Sequence, residues 1–274
     1  MKYIILTILS IISVFLVSFL AGWIIRRKLK KKLSLSKHVL IVTGFGILFF
    51  AMLCLVYFGL YYRADETALS VLTKNDGIKV GETDDYLFLD GKGNDTALIF
   101  YPGAKVESEA YLPLMEILTR NNIDCFVIRP PLRFAQFASK VPEEIIDKYG
   151  YKDYLLCGHS LGGVVASSFC ADHPDEVSGL ILLAAYPISD INNTTDLLTI
   201  YGSEDLLFNR KEYERSKSHF PINLEELIIE GGNHAGFGNY GIQEGDGKAE
   251  ITQLQQQEIT ANAIIKFVSQ IDNR

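Results

Sequence analysis

Hydrophobic residues are distributed in two different ways along this 274-residue chain. In the first part they form two long uncharged stretches, residues 3–25 and 39–62. Further along, short apolar runs alternate with amphipathic stretches. At about 1.5 Å rise per residue, either long stretch could cross, as a helix, a hydrocarbon core about 30 Å thick. The pattern therefore predicts a membrane-embedded part followed by a folded domain.

The second part alternates predicted strands and helices. Short apolar runs bounded by Gly, Pro or Asp predict buried strands over residues 86–89, 97–101, 124–129, 153–157, 179–184, 197–201 and 224–229. Apolar residues at helical spacing predict helices over residues 109–120, 142–149, 161–173 and 251–268. This alternation is typical of an α/β fold with a mostly parallel sheet covered on both faces. We divide the chain into a transmembrane helical hairpin (1–62), a connecting segment with the first strands (63–95) and an α/β domain (96–274).

Charge separates the same two parts. Residues 1–60 carry eight Lys and Arg and no acid, so with a whole-chain charge of −7 the net charge of residues 61–274 is −15. A domain this acidic is a poor candidate for binding nucleic acid or anionic lipid headgroups, and we expect only its anchor to hold it near the membrane. The partner expected of this chain is the lipid bilayer, through residues 3–62.

The loop between the two predicted spans is basic, with seven cations and no acid: Arg26, Arg27, Lys28, Lys30, Lys31, Lys32 and Lys37. The positive-inside rule places such a loop in the cytoplasm, which puts the α/β domain outside the cell membrane. Two alternatives remain open. The first stretch has the position of a cleaved signal peptide, although it is long for one and a second span follows. Only Lys2 favours the opposite orientation, with a cytoplasmic domain.

Residues 158–163 read Gly-His-Ser-Leu-Gly-Gly and carry the most specific chemical signal. Gly158, Ser160 and Gly162 match the G-x-S-x-G nucleophile elbow, in which a strained strand-to-helix turn presents the serine hydroxyl. A predicted strand precedes the motif and a predicted helix follows it, as the elbow requires. The sequence therefore predicts Ser160 as a nucleophile.

A serine nucleophile needs a general base and an acid that orients the base. In folds with this elbow they follow in the order Ser, Asp or Glu, His, each after a strand. Asp205 follows the strand at 197–201, and His234 follows the strand at 224–229. We predict Asp205 as the acid, with Glu204 as the alternative and a helix cap as its other possible role, and His234 as the base.

An oxyanion hole needs two N–H donors. The backbone N–H of Leu161, directly after the nucleophile, is one. The loop after an earlier strand supplies the other, and we predict Ala104 N–H, with Gly103 as a hinge. His159 is expected to be structural, because its side chain points away from the neighbouring serine hydroxyl.

Nothing in the sequence indicates a metal site. The four cysteines are scattered, the five histidines do not cluster, and neither a C-x-x-C nor an H-E-x-x-H motif occurs. No metal is therefore expected.

Taken together, these residues resemble the α/β-hydrolase superfamily over residues 95–270. Three stretches carry the resemblance, residues 100–106, 158–163 and 234–241, and it is closest to the small branch without a lid that is related to dienelactone hydrolases. The resemblance implies an α/β-hydrolase fold, a Ser–Asp–His triad, no metal and no organic cofactor. Dienelactone hydrolases use a cysteine nucleophile, whereas this chain has Ser160, so their substrate is not carried over.

The sequence also lacks a cap. Only residues 186–195 separate one predicted strand from the next, too few for the helical cap found in many lipases. An open site is expected, bounded by residues 134–137 and 237–240. The sequence predicts a membrane-anchored serine hydrolase, a carboxylesterase acting on small or accessible esters through an acyl-enzyme. An acyltransferase, a peptidase and a non-catalytic surface binding module remain alternatives.

Overall fold

A computed structural model describes residues 35–74, 77–91 and 94–272, together with residues 13, 14, 16–20, 22–24 and 27. The chain divides into two compact units, Met1–Leu60 and Tyr61–Arg274. The first predicted span, residues 3–25, falls largely outside the described residues, and those described within it are helical. The two-helix hairpin therefore stays a prediction.

The first unit contains helix α1, Leu35–Gly59. Within it, Val39–Gly59 has a mean hydropathy of 2.8 and none of this segment is buried. By length and composition it could cross a membrane, and it is the one such helix among the described residues. The helix ends at Gly59, three residues before the predicted boundary at residue 62. Tyr62 already belongs to the second unit, because its backbone pairs with a loop of that unit.

The second unit is built on an eight-stranded sheet in the order β1-β2-β4-β3-β5-β6-β7-β8. The strands are β1 Lys79–Glu82, β2 Tyr86–Asp90, β3 Thr96–Tyr101, β4 Ile123–Ile128, β5 Asp153–His159, β6 Gly179–Leu183, β7 Asp196–Gly202 and β8 Leu224–Ile229. Strands β3 to β8 pair in parallel, while β1 with β2 and β2 with β4 are antiparallel. The mostly parallel sheet is thereby confirmed. Strand β1 was not predicted from the sequence.

Helices cover both faces of this sheet. They are α2 Glu66–Ser70, α3 Leu112–Arg120, α4 Val141–Lys148, α5 Leu161–Asp172, α6 Arg210–Ser216 and α7 Gln253–Asp272. Alternate residues of β3 enter two different core clusters: Leu98 and Phe100 pack with α3 and α7, while Ala97 and Ile99 pack with α4 and α5. Both faces are apolar, so the central strands are continuous hydrophobic runs. The short helices α2 and α6 were not predicted.

The parallel strands bring four loops to one edge of the sheet. Their carboxyl ends lead into the loop after β3, the turn between β5 and α5, the loop after β7 and the loop after β8. Ligands of open α/β sheets bind at this edge. Residues 184–195, between β6 and β7, contain no helix. The predicted absence of a helical cap at this point is confirmed, and the edge is not covered by an inserted helix there.

Candidate active site

Ser160 lies at the tight turn between β5 and α5. Its backbone has φ 53° and ψ −124°, a left-handed conformation that is strained for a residue other than glycine. A hydrogen bond of 2.9 Å from its backbone N–H to the carbonyl of Leu183 holds the turn against β6. The predicted arrangement of strand, strained serine and helix is present.

Glycines around this turn let backbone segments approach closely. A Cβ on Gly158 would lie 2.5 Å from the backbone of Gly162, and a Cβ on Gly162 would lie 2.3 Å from the carbonyl oxygen of Tyr101. Cβ atoms essentially never lie this close to backbone atoms, so both positions require glycine. The start of α5 therefore packs directly on the end of β3, which brings the loop after β3 next to the residue that follows Ser160.

Asp205 and His234 are joined by a buried hydrogen bond. Oδ2 of Asp205 lies 2.8 Å from Nδ1 of His234, and the two residues are 2% and 3% exposed. The other carboxylate oxygen, Oδ1, accepts from the backbone N–H groups of Leu207 (2.9 Å) and Phe208 (2.8 Å). The carboxylate of the alternative acid, Glu204, accepts instead from Ser203. Of the two acids, Asp205 is the one positioned to orient His234.

The hydroxyl of Ser160 makes no hydrogen bond to His234 within the described part of the chain. Catalytic hydrogen bonds are often long without substrate and tighten when it binds. The ring centroid of His159, the residue before Ser160, lies 4.5 Å from that of His234. The structure thus brings the His234 ring against the elbow.

The loop after β3 presents two backbone N–H groups with different partners. Gly103 N–H donates to the hydroxyl of Tyr111 at 3.1 Å. Ala104 N–H has no partner among the described residues, and the same holds for Leu161 N–H in the first turn of α5. Gly103 is therefore occupied, and the two predicted oxyanion donors, Ala104 and Leu161, are both open to a ligand.

Tyr111 and His159 link this loop to the elbow, a contact that the sequence did not reveal. The Tyr111 hydroxyl lies 2.8 Å from Nδ1 of His159, and both side chains are buried. The hydroxyl thus accepts from Gly103 N–H and also shares a hydrogen bond with Nδ1 of His159, so one buried oxygen joins the loop after β3 to the elbow.

Burial controls the protonation of this pair. Burial raises the pKa of Tyr111 well above its usual range, although the hydrogen bond from Gly103 opposes the rise. Burial, and after it the nearby His234, lower the pKa of His159 well below its usual range, against a hydrogen bond to the His234 backbone. Tyr111 stays protonated and His159 stays neutral around pH 7.

The sequence profile of the Alpha/beta hydrolase family matches residues 97–258. This range is more than half of the chain and includes Ser160, Asp205 and His234. The chain belongs to the alpha/beta hydrolase family. No curated protein matches this alpha/beta hydrolase in sequence.

Solved structures of several hydrolases share its fold. A predicted CIB-like hydrolase from Thermoplasma acidophilum is 14% identical, with a TM-score of 0.54 over 69% of this chain and 100% of that chain. Est1E from Butyrivibrio proteoclasticus is 13% identical, with a TM-score of 0.52 over 73% and 100%. The epoxide hydrolase VrEH1 from Vigna radiata is 10% identical, with a TM-score of 0.55 over 72% and 99%. Identities this low establish the fold alone.

A second feature of this alpha/beta hydrolase that the sequence did not reveal is Asp246. Its carboxylate accepts from the backbone N–H groups of His234 (3.2 Å), Ala235 (2.9 Å) and Gly247 (2.8 Å). The Gly-Asp-Gly run at 245–247 indicates a turn, but no pattern tells which N–H groups the acid accepts from. Asp246 fixes the backbone on which the His234 ring is mounted.

The expected aromatic boundary of the site is wrong for residues 237–240 and stays a prediction for residues 134–137. Phe137, after β4, is 55% exposed. Phe237 is fully buried and Tyr240 is 6% exposed. Their rings pack against Tyr62, Tyr111 and His159 instead. The segment 237–240 is therefore part of the buried packing around His159 and does not form an exposed boundary of the site.

The cysteines of the alpha/beta hydrolase unit are inert. Cys125, Cys157 and Cys170 are buried, and burial raises the pKa of each thiol above its usual range. A buried thiol without a thiolate is a poor nucleophile. Within the described ranges, no group of three or more His, Cys, Asp and Glu side chains is arranged to hold a metal ion.

Replacing Tyr111 by Phe should impair turnover more than substrate binding. The Tyr111→Phe change frees Gly103 N–H and loosens the loop that carries Ala104, so kcat should fall about 10- to 100-fold with KM within about twofold. Steady-state kinetics on an aryl ester measure both. Tyr154→Phe is the matched control, since its hydroxyl accepts from Tyr151 N–H and donates to the Tyr149 carbonyl at the far end of β5. Equal effects of the two changes would contradict this role.

Replacing Asp246 by Asn should displace His234. The amide places an N–H group against backbone N–H donors, so we expect kcat about tenfold lower and a lower thermal midpoint. Kinetics and thermal unfolding of Asp246→Asn measure the two effects. The exposed Asp175→Asn should change neither quantity. Wild-type kinetics in Asp246→Asn would show that this carboxylate does not position the histidine.

Proposed function

We propose that this alpha/beta hydrolase is a serine hydrolase, and in particular a carboxylesterase that works through an acyl-enzyme. The observation that carries the proposal is the buried Asp205–His234 hydrogen bond beside the strained Ser160 turn. Burying a charged acid is costly unless its oxygens are satisfied, and here three donors satisfy them. This arrangement is what a serine nucleophile requires.

In the proposed reaction, His234 acts as the base. The Asp205 carboxylate accepts a hydrogen bond from Nδ1–H of His234, which keeps the proton on Nδ1 and leaves Nε2 able to take the proton of Ser160. The serine oxygen attacks the ester carbonyl, and the N–H groups of Leu161 and Ala104 stabilise the resulting oxyanion. His234 returns the proton to the leaving alcohol, and water then hydrolyses the acyl-enzyme.

Other acceptors and acyl groups fit the same machinery. An alcohol in place of water gives an acyltransferase, and an amide in place of the ester gives a peptidase. The absence of a helix in residues 184–195 supports access by small or surface-exposed esters. We propose that the chain resembles dienelactone hydrolases in being small and without a lid. Ser160 sets it apart from them, because they use a cysteine nucleophile. A non-catalytic binding module would not need a strained backbone at Ser160, so this strain favours the catalytic proposal.

Ser160 should react with a serine-directed fluorophosphonate. Labelling should disappear in Ser160→Ala, and hydrolysis of a short-chain aryl ester should fall at least about 10³-fold. Ser168→Ala, which removes a hydroxyl from the same helix, should retain both activities. A panel of aryl esters, anilides and added alcohols then separates esterase, peptidase and acyltransferase. Labelling of Ser160→Ala at the wild-type rate would contradict the catalytic proposal.

We also propose that the chain is anchored in a cell membrane by two spans, with the hydrolase unit outside. The apolar helix α1 supports one span, and the seven cations of the preceding loop support a cytoplasmic position for that loop. A cytoplasmic loop puts the residues after α1 on the outer side.

A cysteine at an exposed position tests this orientation. Ile222 is 81% exposed, and the three native cysteines of its unit are buried. Ile222→Cys should react with a membrane-impermeant maleimide on intact cells, whereas the parent protein should not. Labelling only after permeabilisation would show that the hydrolase unit is cytoplasmic.

A further inference from the structure

The first residues of the hydrolase unit, Tyr61 and Tyr62, lie next to the loop that carries Ala104. Tyr62 N–H donates to the carbonyl of Lys105 at 2.7 Å, and Glu107 N–H donates to the carbonyl of Tyr62 at 3.0 Å. The Tyr62 hydroxyl accepts from Glu244 N–H at 3.2 Å. Tyr62 is thus fixed between the loop that carries Ala104 and the segment that follows His234.

Chain connectivity limits how far Tyr62 can be from the apolar helix. Helix α1 ends at Gly59, and only Leu60 and Tyr61 lie between it and Tyr62. Three residues span at most about 11 Å, whatever the arrangement of the two units. Val39–Gly59 is 21 residues long, roughly 31 Å as a helix, which matches the hydrocarbon core. If α1 spans the membrane, Tyr62 lies within reach of the headgroups.

The side chains where the chain enters the unit suit a lipid–water interface. The Arg133 guanidinium lies 3.4 Å from the ring centroid of Tyr61, and that of Arg63 lies 5.4 Å from it. Arg133 is also 3.7 Å from Glu107. Aromatic and cationic side chains concentrate at membrane interfaces. This local pair of cations contrasts with the net charge of −15 on the unit as a whole.

Exposed apolar side chains also occur in the segments that follow four of the strands. Each of the following comes after the carboxyl end of a different strand, from β4, β6, β7 and β8 in turn: Phe137 (55% exposed), Ile188 (60%), Leu206 (74%) and Ile242 (94%). We call these four residues the apolar rim. Scattered exposed apolar residues are ordinary, but several in segments that follow the carboxyl ends of strands are suited to contact lipid.

We propose that the apolar rim docks on the bilayer surface and that the substrate is an ester of a lipid in the adjoining leaflet. This inference rests on the proposed function. The ester carbonyl lies near the headgroups, within reach of Ser160, while the acyl chains stay in the bilayer, so the site needs neither a cap nor a deep acyl pocket. The Ser160 oxygen forms the bond to the acyl carbon, the ester C–O bond breaks, and the leaving alcohol takes the proton from His234. Water then releases the fatty acid.

Rim variants of the full chain in lipid vesicles test the substrate. Ile188→Asp and Ile242→Asp should lower kcat/KM on a fluorogenic diacyl phospholipid embedded in the same vesicles at least about tenfold. Their activity on a water-soluble aryl acetate should stay within about twofold of wild type, since neither residue belongs to the catalytic machinery. Ile222→Asp is the matched control, because Ile222 is 81% exposed and precedes β8, at the opposite edge. Equal loss in rim and control variants would overturn the proposal.

A second measurement tests docking without reference to any substrate. An environment-sensitive fluorophore on Ile242→Cys should be quenched by a lipid-borne quencher in the vesicles, whereas the same label on Ile222→Cys should not be. Equal quenching at both positions, or none at either, would overturn docking.

The two proposals fail in different ways. If soluble esters are hydrolysed in a Ser160-dependent manner but the vesicle lipid is not, the serine hydrolase stands and the lipid substrate fails. If Ser160→Ala matches wild type on both esters, the proposed function itself fails.

Discussion

The site depends on one close approach of two backbone segments. The first turn of α5 packs on the carboxyl end of β3 at a distance that leaves no room for a Cβ on Gly162, and it packs equally closely on Gly158 of β5. This approach forces the chain at Ser160 into its strained conformation, because the strand must turn into the helix within one residue. It also brings the loop after β3, which carries Ala104, next to the residue that follows Ser160. The strain at Ser160 and the closeness of this loop therefore have one cause.

Around this contact, polar groups are satisfied by backbone N–H donors rather than by solvent. Asp205 accepts from two N–H groups besides the imidazole, and Asp246 accepts from three. A carboxylate that accepts several backbone N–H groups in this way holds its loop in place. The acid and the base are on different loops, and each loop is fixed by a carboxylate before any substrate is present.

Much of the second unit could be predicted from the sequence, since its strands are buried on both faces and read as continuous apolar runs. The elbow was predictable because the pattern changes from strand to helix at a glycine-rich turn. Strand β1, Lys79–Glu82, was missed because an edge strand paired with β2 alone needs few apolar residues. Helix α6 was missed because Arg210–Ser216 is mostly charged.

Contacts between distant segments were beyond the sequence. The aromatic residues after His234 were expected at the surface, but Phe237 packs under His159, and no local pattern distinguishes the two positions. Tyr111 has helical spacing in an apolar stretch, so its hydroxyl gave no signal. Asp246 is recognisable as a turn residue, but the N–H groups that it accepts from lie about a dozen residues earlier in the chain.

The Tyr111 hydroxyl has a consequence for the two adjacent imidazoles. Its oxygen accepts from Gly103 and shares a hydrogen bond with Nδ1 of His159, and burial keeps that ring neutral by lowering its pKa. The loop after β3 is thereby tied to a ring that does not change its charge around pH 7. The two histidines, with ring centroids 4.5 Å apart, thus divide their work. His159 holds the loop through Tyr111, whereas His234, hydrogen-bonded to Asp205, is the ring that the proposed mechanism uses to exchange a proton with Ser160.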